Sequence, residues 1–235
     1  MDAMHLKSCV QYVDTLKRFI GYEDFGDGTA VEDGDMAREA LTFLVVGIKK
    51  AWRAPIGYFL TAKPLSAEQQ MPLLKEGIVR LADVGVRVRC VIFDGTNANQ
   101  ATAELLGAVL PDSPFFPHPC ISGAVVYCVL DNSHMIKLAR NTLAKRDFKD
   151  KNGGIVSWFY VKELHKLQNV EGLRFGNRLT AAHVDEWRRR KMKVKLAVQV
   201  LSTSVADALQ FLMEHGHPTF AGAGPTIAFI RLMDS

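Results

Sequence analysis

Two apolar runs in this chain end on an aspartate, CVIFD closing at Asp94 and YCVLD closing at Asp131. Acids at the carboxyl ends of strands lie where open α/β sheets place their ligands. Two carboxylates at such an edge could hold Mg²⁺ for metal-assisted hydrolysis or strand transfer. The competing reading is structural, because aspartate also caps the first turn of a helix that follows a strand. Asp131, followed by Asn132 and Ser133, has the more cap-like surroundings. His134 follows in the same stretch, as a second ligand or as a hydrogen-bonded helix-start residue. Phosphate contact is a further candidate chemistry, carried by WRRRKMKVK, which packs six cations into the eight residues from Arg188. Arg188, Arg189, Arg190 and Lys191 could meet the phosphates of nucleic acid or of a nucleotide; the alternative is a solvated helix face. Neither GxxxxGK[ST] nor GxGxxG occurs, so the usual phosphate loops are absent. The acidic loop from Asp27 to Asp35 lacks the spacing of a calcium loop and reads as solvated.

Positioning such residues requires a sheet. Phe19–Phe25, Ala40–Lys49, Ile56–Leu60, Val86–Phe93 and Val125–Leu130 have the apolar character and flanking turn residues of strands. Ser66 opens a helix to about Val84, with Leu73, Leu74, Ile78 and Leu81 at helical spacing and Gly85 behind it. Asn97–Val109 and Ser133–Leu143 read as two more helices, and Pro111–Pro119 as a loop. This order predicts an α/β domain with a mixed sheet and helices on its faces. Beyond Lys145 the pattern predicts helices only, over Val156–Gln168, Met192–His215 and Gly224–Met233.

Charge marks the same change. Residues 141–200 carry 14 Lys/Arg against 6 Asp/Glu, whereas residues 1–140 carry 14 against 16. A boundary near residue 150 follows, with domains over 1–150 and 151–235. At 235 residues and 48% apolar the chain can bury a substantial core. No apolar run reaches the roughly 20 residues that span a bilayer, and MDAMHLKS is not a secretory signal. The four cysteines show no CxxC spacing and read as reduced thiols of an intracellular, non-secreted protein.

Six stretches, in order, carry a resemblance: DAMHLKSCVQY from Asp2, FIGYEDFG, LTFLVVGIKKAWRAPIGYFLT, VIFDGTNANQ, LDNSHMIKLARNTL and MKVKLAVQVLSTSVADAL. Together they resemble the P-element-like DNA transposases, the THAP-domain transposases and their domesticated relatives. The resemblance implies an RNase H-like mixed sheet flanked by helices, followed by a mostly helical insertion domain that binds GTP. It implies a carboxylate triad holding two Mg²⁺, which cuts transposon DNA ends and joins them to a target. It further implies nuclear localisation, DNA as the partner, no membrane, and a homo-oligomer in the full-length protein. By the family's motifs the first acid falls on Asp2 and the second on Asp94. Asp131 and His134 match an Asp-x-x-His-x-x-Lys stretch and are kept as structural or secondary site residues.

The departures set further expectations. Asp2 is preceded only by Met1, so the first strand is expected to be missing, and Ala3 stands where relatives show Glu. The family's third acid, a Glu, lies beyond the insertion, whereas this sequence ends at IAFIRLMDS, inside or just after it, and no C2CH zinc arrangement occurs. The chain is therefore expected to be a fragment or domesticated copy, inactive by itself, with an incomplete insertion. The alternative is a non-catalytic nucleic-acid- or protein-binding module. An unrelated α/β protein using Asp94 and Asp131 would instead keep the strands at 19–25, 41–48 and 56–60 out of one sheet with 86–93.

Overall fold

Backbone pairing turns the apolar runs into strands and the capped periodic segments into helices, in two units that divide at Asp131/Asn132. The computed structural model describes residues 1–15, 17–26, 34–172 and 174–235. Asp27, Glu32 and Asp33 of the acidic loop lie outside the described residues.

The first unit runs β1 (Asp2–His5), β2 (Gln11–Val13), β3 (Arg18–Ile20), β4 (Glu39–Val46), β5 (Arg53–Thr61), α1 (Ala67–Asp83), β6 (Cys90–Phe93), α2 (Asn97–Leu105), β7 (Phe115–Pro117) and β8 (Val125–Leu130). Strands β1, β4 and β5 form an antiparallel ladder, with Thr42 opposite both Asp2 and Tyr58. Its register slips between Phe43 and Leu44, where Pro55 enters β5. A proline has no N–H for the ladder, and a bulge is where a strand accommodates one. A second ladder is mixed: β6 and β8 are parallel, and β7 joins β8 antiparallel inside the segment expected to be loop. The segment 19–25 contributes only the end of the β2–β3 hairpin and the bridges Tyr22–Met36 and Asp24–Leu60.

Among the described residues β4 and β5 are not hydrogen-bonded into one sheet with β6, the arrangement expected of an unrelated α/β protein, but the two ladders share one core. Leu41 and Phe43 from the first, and Val91, Phe93, Val126 and Cys128 from the second, pack with Leu74 and Ile78 of α1. At their seam the main-chain nitrogen of Met1 donates to the Ile92 carbonyl at 3.0 Å. The first strand, expected to be missing, is present: Asp2–His5 pairs antiparallel with β4 over its whole length. Helix α1 starts as expected, through a capping box between Ser66 and Gln69.

The second unit contains α3 (Asn132–Lys145), β9 (Phe148–Lys149), β10 (Ile155–Val156), α4 (Trp158–Glu171), α5 (Ala181–Val184), α6 (Val194–Val200), α7 (Thr203–Glu214), a 3₁₀ turn (Pro218–Phe220) and α8 (Gly224–Asp234). It is not purely helical. Oδ1 of Asp150 accepts from the N–H groups of Asn152 and Gly154, each at 2.8 Å, which folds KDKNGG into a β9–β10 hairpin. Charge composition marks residue 150, whereas packing places α3 with the helical unit, against α4 and α6.

The long helix expected over 192–215 is two helices. Ser202 stands at the cap position of α7 without a side-chain bond to the main chain of its first turn; its hydroxyl donates to the Gln199 carbonyl at 3.0 Å, and Asp234 accepts the Thr203 N–H at 2.7 Å. By length and composition alone 194–214 could cross a membrane. Here Val200, Leu201, Val205, Ala206 and Leu209 are fully buried in the core of this unit.

Candidate functional site

Asp94 stands one residue past β6, and helix α2 begins three residues later. Thr96 is the cap of that helix, its hydroxyl accepting from the Asn99 N–H at 3.4 Å. Asp94 is thus relieved of the structural role that competes with chemistry. Its carboxylate Oδ1 accepts a short hydrogen bond from the Asn99 side-chain amide, which also donates to the Asp94 carbonyl at 3.2 Å. Asn99 is buried, so the contact fixes the rotamer of the half-buried acid. The other carboxylate oxygen makes no hydrogen bond among the described residues.

Asp2 is exposed on β1, where Thr42 Oγ1 donates to its main-chain oxygen at 3.1 Å. Met1 packs against the core, and Phe93 lies within it. Side chains alternate along a strand, so the residue after each is directed to the opposite face. Asp2 and Asp94 are those residues. The Met1 N–H bond to the Ile92 carbonyl sets Asp2, the next residue, beside the end of β6 that Asp94 follows, although the two acids are 92 apart in the chain.

Asp131 lies at the same edge. Leu130 is in register with Phe93, and the Asp131 N–H donates to the Phe93 carbonyl at 2.9 Å, so Asp94 and Asp131 follow neighbouring parallel strands. His134 belongs to the second unit. Among the described residues no group of three or more His, Cys, Asp or Glu is placed to hold a metal ion. Carboxylate oxygens are the donors that Mg²⁺ takes, and it is often held by one or two of them together with substrate phosphates. Asp2 and Asp94 fit one such ion in donor type.

The cationic segment is not a helix. Residues 187–192 form turns, and Arg188 through Lys193 are all exposed. Trp187 is buried beneath them, with Arg188 over its ring at 5.6 Å. Asn99 went unremarked in the sequence although it lies in the same ten-residue stretch as Asp94; an amide one helical turn past a strand-end acid was the available signal. The link between Arg140 of α3 and the cationic turn, 50 residues away, had none.

An acid-edged mixed sheet followed by a helical unit is the arrangement of an RNase H-like domain carrying an insertion. Residues 1–107 match the family described as "TNP-like, RNase H N-terminal domain", and residues 133–235 match "TNP-like, GTP-binding insertion domain". The chain belongs to this P-element-like transposase family. It is 30% identical over 239 residues to the human DNA transposase THAP9, spanning 100% of this chain and 26% of that protein. It is 25% identical over 229 residues to the Transposable element P transposase of Drosophila melanogaster, spanning 97% of this chain and 29% of that one. The chain therefore covers between a quarter and a third of these relatives. The fold superposes on the Drosophila P element transposase strand transfer complex with a TM-score of 0.81 and 21% identity, over 99% of this chain and 48% of that chain.

Proposed function

We propose that this chain is the part of a P-element-type transposase that presents two of its metal-binding carboxylates, Asp2 and Asp94, to DNA in the nucleus. The observation that supports this is the Thr96 cap, which leaves Asp94 free of helix capping, together with the Met1–Ile92 hydrogen bond that sets β1 beside the end of β6. A bound Mg²⁺ would supply Lewis-acid stabilisation of phosphate oxygens during cleavage and strand transfer. The protein's own part is orientation: the Asn99 amide holds the Asp94 carboxylate, and the β1–β4 ladder holds Asp2. Asp131 is a secondary residue of the same edge, and His134 is structural.

Among the described residues no third acid is grouped with Asp2 and Asp94 to complete a two-ion clamp, and in this reading the chain by itself has little or no nuclease activity. Incubation with duplex DNA and Mg²⁺ or Mn²⁺ tests this. Robust cleavage that Asp94→Asn abolishes would overturn the inactive reading and leave the metal-binding one standing. The second unit binds GTP in this reading, which titration of a fluorescent GTP analogue against the whole chain tests; no change in its signal up to millimolar protein would count against it.

A second reading is a non-catalytic nucleic-acid-binding module. It is favoured by the exposed turn of Arg188, Arg189, Arg190 and Lys191. Salt-dependent DNA binding that survives Asp94→Asn and weakens when those four cations are neutralised supports it. Binding indifferent to salt would sink it.

A further inference from the structure

Arg140, in the middle of α3, is completely buried, and among the described residues no carboxylate pairs with it. A buried guanidinium without an acid is costly unless its donors are satisfied. Nη2 of Arg140 donates to the main-chain carbonyls of Arg190, at 3.3 Å, and Lys191, at 3.2 Å, while Nη1 has no partner among the described residues. Nε donates to the side-chain oxygen of Asn141 at 2.9 Å, and the Asn141 amide in turn donates to the Lys191 carbonyl at 3.3 Å. Every long-range bond of this pair therefore ends on the main chain of the cationic turn.

From inside, the turn is fixed by this fork and by buried Trp187. Its side chains are exposed, and among the described residues Arg190 alone of Arg188, Arg189, Arg190, Lys191 and Lys193 has an acid partner, Glu186 at 2.8 Å. Adjacent cations on an unrestrained loop repel one another and spread, and ordering such a loop at the moment of binding weakens binding. Holding the carbonyls in advance removes that cost.

We infer that Arg140 and Asn141 are positioning residues that hold the 187–193 turn as a preformed surface for the phosphates of double-stranded DNA. The proposal rests on the reading of the cationic turn as a nucleic-acid contact and adds the device that shapes it. Duplex DNA fits better than a single strand, because single-strand sites stack bases on exposed aromatic rings and the ring of this turn is buried. It fits better than a membrane surface, because Met192 is the only apolar side chain exposed among the cations, whereas surface-seated segments insert an apolar face.

Fluorescence anisotropy of the whole chain with a labelled mixed-sequence duplex, at several salt concentrations, tests this. Neutralising Arg188, Arg189 and Lys191 to Gln should lower the slope of log K against log salt by roughly 2 to 3, at about 0.9 per lost phosphate contact. Arg140→Lys keeps the charge but loses the fork, and should weaken binding roughly tenfold with the slope nearly unchanged, since the same cations remain. Hydrogen exchange at amides 188–193 should quicken in that variant while α4 and α7 stay protected. Asn141→Ala, at a half-exposed position, removes its bonds to Arg140 Nε and to the Lys191 carbonyl but leaves the Arg140 fork, and covers the case in which Arg140→Lys does not fold; it should weaken binding roughly threefold. If the triple variant binds DNA as tightly as the wild type, the cationic turn is not the contact and both readings fall. If the triple variant weakens while the folded Arg140 and Asn141 variants bind normally with a loosened turn, the contact stands and the positioning role is overturned. Tight binding to phosphatidylserine vesicles with none to the duplex would also overturn it.

Discussion

The side-chain amide of Asn99 donates to both the carboxylate and the carbonyl of Asp94, while Thr96, between them in sequence, caps the helix. Two tasks that one aspartate could have combined are divided between two residues. Thr96→Ala should therefore cost about 1 kcal/mol of stability in denaturant unfolding, the usual loss for a removed cap. Asp94→Asn should leave stability nearly unchanged, since an amide oxygen can still accept from Asn99. Equal losses in the two variants would return the capping role to Asp94.

Cys128 lies in the core beside Val126 and Phe93, and burial pushes its thiol up from 9.0 to about 11. The thiolate is the reactive species, so Cys128 is inert near neutrality. Cys9 and Cys120 are exposed. An aromatic disulfide reagent at pH 8 should titrate these two quickly in the native protein and reach Cys128 only after denaturant is added. Rapid native-state labelling of Cys128, read by peptide mass, would show that the core opens without global unfolding.

His118 provides a pH dependence. It is buried, its Nδ1 accepts from the Cys120 N–H at 3.2 Å, and Nε2 has no partner among the described residues. Burial first, and the nearby Arg87 charge second, hold its pKa below the ordinary 6.5. The unfolded chain takes up the proton at 6.5 and the folded chain resists it. Stability is therefore full above 6.5 and falls as pH drops below it. Urea midpoints measured between pH 7.5 and 5 should decline in the wild type and decline less in His118→Gln; an unchanged slope in the variant would assign the acid sensitivity elsewhere.

Local pattern made much of this fold legible. Strand β8 has the bounds that its apolar run predicts, and α1 begins at the Ser66–Gln69 box. Asp94 was recognisable as a strand-end acid, and its weight as a site residue came from the ordered motifs. What stayed hidden depends on partners distant in the chain. Strand β1 could not be inferred from the residues around Asp2, because its pairing comes from β4. The apolar stripe through 194–212 continues across Leu201 and Ser202, so nothing in its period marks the break that Asp234 helps to fix from the other end of the unit. The run from Arg188 to Lys191 reads equally as a solvated helix face, arginine and lysine being good helix formers. Tertiary hydrogen bonds from Arg140 to the carbonyls of Arg190 and Lys191 hold that stretch as a turn instead.

The break between α6 and α7 can itself be tested. Oδ2 of Asp234 accepts from the Thr203 N–H at 2.7 Å and from the Thr203 hydroxyl at 2.6 Å, so the end of α8 supplies the anion at the amino terminus of α7. A negative charge there is favoured by the helix dipole and by the unpaired N–H groups of the first turn. The Thr203 side chain, then its backbone N–H, hold the Asp234 carboxyl below its ordinary 3.8. A depressed carboxylate contributes stability above 3.8 that is lost as pH falls through its folded value. Asp234→Asn removes the charge at every pH, so it should lower the unfolding midpoint of the helical unit at pH 7 and narrow its difference from wild type toward pH 3. An Asp234→Asn protein as stable as wild type at pH 7, with amides 203–206 equally protected from exchange, would mean that α7 starts without help from the Asp234 charge.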